Sequence, residues 1–94
     1  MFVRVVRFTG VTSERMESLL ARINESGGPP PGVTAHGISV LFDEAQSTAV
    51  VLQQFPTAQD MEEGAKVLSA MDSSETPGTR VSVDACEQRL ELEV

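Results

Sequence analysis

The chain has 94 residues, with fourteen acidic and seven basic side chains, a net charge of -7 and an apolar content of 40%. A chain this short forms a single domain, and because its only aromatic residues are four Phe, the core must consist mainly of aliphatic side chains. The negative charge repels phosphate backbones and anionic lipids, so we expect neither nucleic acid nor a membrane as a partner.

The cysteine content points to a reducing compartment. Cys86 is the only cysteine, which excludes an internal disulfide and a two-thiol metal or redox site. The N-terminus alternates like a strand instead of resembling a signal peptide, and no segment approaches the length of a membrane span. We therefore expect a cytoplasmic protein.

The first third of the chain predicts a strand, a helix and a crossover. Residues 2–8 have two largely apolar faces, as a central strand does. Thr12 or Ser13 then caps a helix. The proline-rich residues 27–32 are incompatible with a helix, and they either only span the top of the sheet or form a lid over a ligand. The apolar positions of the helix recur at helical spacing: Met16, Leu19, Leu20 and Ile23.

The middle of the chain predicts a hairpin followed at once by a second helix. Residues 33–42 and 48–55 form two strands joined by a polar turn. Thr57 is the N-cap of a helix over residues 58–72, in which Gly64 is a point of close packing.

A last strand over residues 80–92 completes the order β-α-β-β-α-β. This order predicts an α+β, ferredoxin-like fold in which residues 1–94 form a single domain. Two helices then cover one face of a four-stranded antiparallel sheet, and the other face is left bare.

Strand parity assigns side chains to the two faces, unless a bulge inverts part of a strand. We expect the face under the helices to carry Val3, Val5, Ile38, Val40, Ala49, Val51, Val81, Val83 and Ala85. We expect the bare face to carry Phe2, Arg4, Val6, Phe8, Ser39, Leu41, Val50, Leu52, Gln54, Ser82, Asp84 and Cys86. A sheet face with this many apolar side chains is unfavourable in contact with water. We therefore expect a second copy of the chain to cover it.

This layout resembles the dimeric α/β-barrel superfamily, which includes small antibiotic-biosynthesis-type monooxygenases and many uncharacterised bacterial proteins. The resemblance lies in the N-terminal strand, the capped first helix, the segment FPTAQDMEEG, the helix AKVLSAM and the long last strand. It implies a homodimer in which two sheets pack face to face and residues 87–94 reach across to the partner. It brings no diagnostic catalytic motif.

A few polar residues are candidates for chemistry. His36 is the only histidine, so one chain cannot supply a multi-histidine metal site; it is either a general base or a structural residue at a strand entrance. Arg4 and Asp84, on neighbouring strands, form either a buried ion pair or an anchor for an anionic or carbonyl group of a ligand. In the second case three more residues supply hydrogen bonds to the ligand: Ser39, Gln54 and Ser82.

Two functions follow from this reading. The first is an uncharacterised homodimeric barrel protein that binds a small apolar or aromatic molecule at most. The alternative, implied by the resemblance, is a cofactor-free monooxygenase or isomerase acting on a small aromatic or polyketide-like substrate, which itself supplies electrons to oxygen. Neither requires a metal or cofactor, and we predict none. A cavity on the bare, barrel-forming face that is large enough for a ring system favours the enzyme, whereas a face filled by Phe2, Phe8, Leu41 and Leu52 favours a dimerisation module. Association with another protein through the acidic helices is a third possibility.

Overall fold

A computed structural model describes residues 1–29, 32–70 and 76–93. Its elements are β1 (Phe2–Thr9), α1 (Ser13–Ser26), β2 (Gly37–Asp43), β3 (Thr48–Phe55), α2 (Ala58–Ser69) and β4 (Thr79–Glu87). The strands form one antiparallel sheet in the order β2-β3-β1-β4. The predicted β-α-β-β-α-β order and ferredoxin-like topology are confirmed. Neither α1 nor α2, as described, is long and apolar enough to cross a membrane.

Three predicted boundaries differ from the structure. β2 begins at Gly37, not at residue 33, because Gly37 already pairs with Gln54 near the end of β3. β4 ends at Glu87, not at residue 92, because Glu87 pairs with Phe2, the first residue of β1. A strand cannot extend past the partner that satisfies its backbone groups. α2 ends at Ser69, and the last two residues of its predicted range, 71 and 72, lie outside the described residues.

Side-chain caps start both helices where the sequence predicts them. Thr12 Oγ1 accepts a hydrogen bond from the backbone N–H of Arg15 at 3.2 Å, so Thr12 is the cap and not Ser13. Thr57 Oγ1 accepts from the backbone N–H of Asp60 at 3.0 Å. Each bond satisfies one of the amides that a first helical turn leaves unpaired.

Gly64 brings α2 against the sheet, as predicted. The residue is buried, and a Cβ atom added to it would lie 2.7 Å from Cε1 of Phe55 and 3.4 Å from Cγ1 of Val33. Phe55, at the end of β3, is fully buried. The absence of a side chain at this position therefore sets the distance between α2 and β3.

The helices cover the opposite face of β1 from the one that the sequence predicts. Residues that pair directly across an antiparallel sheet share a face. Val6 pairs with Val51, which in turn pairs with Val40, and all three contribute to the core. Val3 and Val5 therefore lie on the bare face, and Arg4, Val6 and Phe8 lie beneath the helices. One cluster of buried core residues consists of Val6, Phe8, Val11, Met16, Ala49 and Val51, with Leu19, Val40 and Phe42 packed against it. Val33 and Phe55 are also buried.

The assignment of the other strands is correct where their register is regular. On the covered face Val40 and Val51 oppose each other, and Val83 pairs with Val6. The error on β1 has a simple cause: both of its faces are largely apolar, so its own alternation does not choose between them. The choice is made by the register with β3.

β4 contains a bulge opposite the end of β1. Arg7 pairs with Ser82, but the next residue, Phe8, pairs with Arg80, which leaves Val81 as the extra residue. A bulge shifts the alternation of the residues beyond it by one. Arg80 thus joins Phe8 on the helix side, and Val81, which we expected beneath the helices, is 55% exposed.

Candidate ligand-binding site

A cavity of about 560 Å³ lies between the covered face of the sheet and the two helices. Its volume is within the range of small-molecule sites in proteins. The apolar part of its lining comes from the strands and from both helices: Val6, Phe8 and Val51 from the sheet, Leu19 and Ile23 from α1, and Leu68 from α2.

The cavity exists because the apolar stripe of α1 is only partly in contact with the sheet. Met16, near the start of the helix, is buried in the core. Leu19 and Ile23, one and two turns further on, are half-buried and line the cavity instead. The apolar stripe of α1 therefore faces the sheet, as its spacing predicts. The space between the second half of α1 and the sheet is left open.

Arg4 is the buried polar residue of the cavity. Its side chain is only 3% exposed, and Nη1 donates a hydrogen bond of 2.8 Å to Oε1 of Gln53. Nε is buried and finds no hydrogen-bond partner within the described parts of the chain. Burial lowers the pKa of Arg4 from its usual value, and the positive charge of Arg80 lowers it further.

Arg80 and Gln53 are site residues that the sequence analysis missed. Arg80 reaches the cavity because of the bulge at Val81, and Gln53 meets Arg4 because β1 faces the helices with its even-numbered residues. Within β1 the signal is slight, because both faces are largely apolar and differ only in the greater apolar bulk of Val6 and Phe8 compared with Val5 and Arg7. No local signal in β4 marks the bulge.

The predicted site residues are divided between the two faces. Arg4 lines the cavity beneath the helices, whereas Asp84 is exposed and pairs with Val5 on the bare face. The predicted ion pair between Arg4 and Asp84 is therefore wrong. The remaining three candidates also lie on the bare face by register, away from Arg4: Ser39, Gln54 and Ser82.

His36 lies at the rim of the same cavity as Arg4. Its backbone N–H donates to the carbonyl oxygen of Gln54 at 2.6 Å, which fixes the backbone just before β2, and the residue is exposed. Catalysis by its imidazole stays a prediction. Across residues 1–29, 32–70 and 76–93, no group of three or more His, Cys, Asp or Glu side chains is placed to hold a metal ion.

Comparison of the chain with protein-family models, with curated proteins and with solved structures finds no match. The likeness to the dimeric α/β-barrel superfamily remains one of topology and hydrophobic pattern.

Proposed function

We propose that this chain is a homodimeric small-molecule-binding protein that holds an apolar ligand in the cavity between the sheet and the helices. The observation that carries the proposal is the cavity of about 560 Å³ with its mainly apolar lining. Protein interiors rarely contain voids much larger than a water molecule. A space of this size, reached past exposed residues such as His36 and Gly28, is typical of a ligand site.

Binding of a neutral fluorescent probe tests this proposal. N-phenyl-1-naphthylamine fluoresces strongly only in apolar surroundings, and the chain has no Trp or Tyr to interfere with the signal. We expect saturable fluorescence enhancement with the wild-type protein. Ile23→Trp, which places a large ring in the cavity, should abolish it, and Leu20→Trp, at an exposed position of the same helix, should not. Absence of enhancement with the wild type would overturn the proposal.

The bare face of the sheet supports the homodimeric part of the proposal. It carries opposite charges, Arg7 on β1 and Asp84 on β4. A twofold contact buries the same patch on both copies, so a patch with both charges can complement itself. The face also presents a set of half-buried or exposed apolar side chains, which favours burial against another copy: Val3, Val5, Leu41, Val50 and Leu52.

The resemblance in layout supports the inference that the chain is a bacterial, cytoplasmic member of the dimeric α/β-barrel superfamily. In such a dimer the tail after β4 contacts the partner. Leu90 and Leu92 in this tail are 75% and 74% exposed in the single chain, and such contact would cover them.

A cofactor-free monooxygenase or isomerase is the second candidate. It is favoured by the position of His36 at the rim of the cavity, where an imidazole can remove a proton from a bound phenol or enol. Anthrone is a suitable probe, because one molecule of oxygen converts it to anthraquinone and water with electrons from anthrone itself. Oxygen consumption above the spontaneous rate, lost in His36→Ala, would support the enzyme. A rate equal to the spontaneous one would contradict the enzyme proposal, and ligand binding would remain the proposed function.

A further inference from the structure

We propose that the ligand of this cavity is an apolar molecule with a carboxylate, and that the carboxylate binds to the guanidinium groups of Arg4 and Arg80. This inference rests on the proposed binding function and names the class of ligand that the same cavity selects.

The first argument is the unused edge of the Arg4 guanidinium. Nη1 is occupied by Gln53, whereas Nε is buried without a partner in the described structure. In a planar guanidinium the N–H of Nε is parallel to an N–H of Nη2, and this pair of donors matches the two oxygens of a carboxylate. A side chain that is only 3% exposed, and whose buried Nε has no partner in the described structure, fits an anion held in the cavity.

The charge of the lining is the second argument. The chain has twice as many acidic as basic residues, yet no described residue that lines the cavity is acidic, and two of them are arginines. The positive charge of Arg80 disfavours the charged form of Arg4 and so lowers the pKa of Arg4. Two like charges at one site are costly, and an anion bound between them relieves both. A ligand carboxylate would serve as the ion-pair partner that an internal Asp or Glu usually provides for a buried arginine.

The shape of the site favours a carboxylate over a phosphate. Gln53 already holds one guanidinium nitrogen, so Arg4 offers a single planar pair of donors. The rest of the lining is mainly apolar and would accept a hydrocarbon chain or a ring rather than further anionic oxygens. A phosphate group has more anionic oxygens than a carboxylate, and it would have to place some of them against this apolar lining.

Matched acids and alcohols test the inference. Decanoic acid and decan-1-ol, and 2-naphthoic acid and 2-naphthalenemethanol, are titrated at neutral pH against protein loaded with N-phenyl-1-naphthylamine. We expect each acid to displace the probe at a concentration at least about tenfold lower than its alcohol, because charge-assisted bidentate bonds are the stronger ones. Arg4→Met should remove this preference, so that each acid and its alcohol displace the probe at similar concentrations. Arg7→Met, on the bare face of the same strand, should keep the preference.

Two further variants keep the test decisive. Arg4→Lys keeps the charge but not the paired donors, so its preference for the acids should fall between those of the wild type and Arg4→Met. Should Arg4→Met fail to fold, Arg80→Met changes an exposed residue and should reduce the preference several-fold. Equal displacement by acids and alcohols in the wild type would overturn the carboxylate inference and leave the binding function intact. Absence of probe binding to the wild type would overturn the binding function itself.

Discussion

Arg4 Nη1 and Gln53 Oε1 form a hydrogen bond of 2.8 Å between directly paired residues of β1 and β3, on the face that the helices cover. This bond fixes the orientation of a buried cation at the cavity, and Nε of the same guanidinium has no partner within the described residues. The pair is therefore part of the structural basis for the inference that the ligand carries a carboxylate.

The ligand-free protein should become more stable when Arg4 is replaced by Met. The pKa of Arg4 is lowered by burial and by Arg80, so folding disfavours its charged form. The unfolded chain therefore holds the proton more tightly than the folded chain does. The resulting cost to the free energy of folding is fully present at neutral pH, and it declines only as the pH rises from the lowered pKa of the folded state towards the ordinary pKa of the unfolded state. We expect Arg4→Met to raise the free energy of unfolding by about 1 kcal/mol, a net value that includes the loss of the hydrogen bond to Gln53.

Urea denaturation of the ligand-free protein measures this effect, with Lys66→Met, at an exposed position of α2 away from the bare face, as the control. The control should change stability by less than about 0.5 kcal/mol. A large loss of stability in Arg4→Met would show that Arg4 has an acidic partner and contradict the unpaired state.

Replacement of Gly64 by Ala should destabilise the protein although Ala is the better helix former. The added methyl would lie 2.7 Å from the ring of Phe55, which is fully buried and has little room to move. Overpacking of this kind costs about 1–3 kcal/mol, more than the gain of roughly 1 kcal/mol in helix propensity. Thermal or urea denaturation measures the difference.

Gly28→Ala is the matched control for Gly64→Ala. A Cβ atom at Gly28 meets nothing within 4 Å, and its backbone is not in the left-handed region. Its stability should therefore stay close to that of the wild type. An equally stable Gly64→Ala protein would show that α2 does not pack as closely on β3 as the structure has it.

Replacement of Leu52 by Asp should disrupt the proposed homodimer. Leu52 lies on the bare face beside Val5 and Ser39 in the neighbouring strands. A carboxylate at this position would have to be buried without a partner in a face-to-face contact of two sheets. We expect monomers, or insoluble protein, by light scattering coupled to size exclusion.

Leu20→Asp, at an exposed position on α1, serves as the control and should leave the mass of the assembly unchanged. A soluble Leu52→Asp dimer, or a monomeric wild-type protein, would exclude the bare face as the contact.

Replacement of Asp84 by Ala should have little effect on the stability of the single chain. Asp84 is exposed and lies on the opposite face from Arg4, so its removal leaves no buried charge without a partner. The free energy of unfolding should change by less than about 1 kcal/mol, as is typical of exposed charges. A loss of several kcal/mol in urea denaturation that does not depend on protein concentration would instead indicate the ion pair within one chain that strand parity suggested.

Local signals allowed the sequence to predict the order of the elements. Thr12 and Thr57 start their helices because a hydroxyl can accept from an amide three residues later, whatever the rest of the chain does. The position of Gly64 in the interior of an amphipathic helix was enough to predict close packing, since few other reasons place Gly there. The topology followed from this order and from the short connections between the elements.

The site depended on pairing between distant strands, which the sequence does not show. Arg4 was correctly singled out, but with the wrong partner, because the two faces of β1 are similar in apolar content and only its register with β3 selects one. Arg80 was missed because the bulge at Val81 changes the face on which it lies.

The amino-acid sequence by itself thus determined the elements and their topology, since caps, breakers and hydrophobic periodicity act over a few residues. The tertiary structure alone decided which face of β1 meets the helices, where β2 and β4 end, and that a space remains beneath the second half of α1. These features depend on backbone hydrogen bonds and side-chain volumes from segments far apart in the chain, and only their simultaneous fit selects one arrangement.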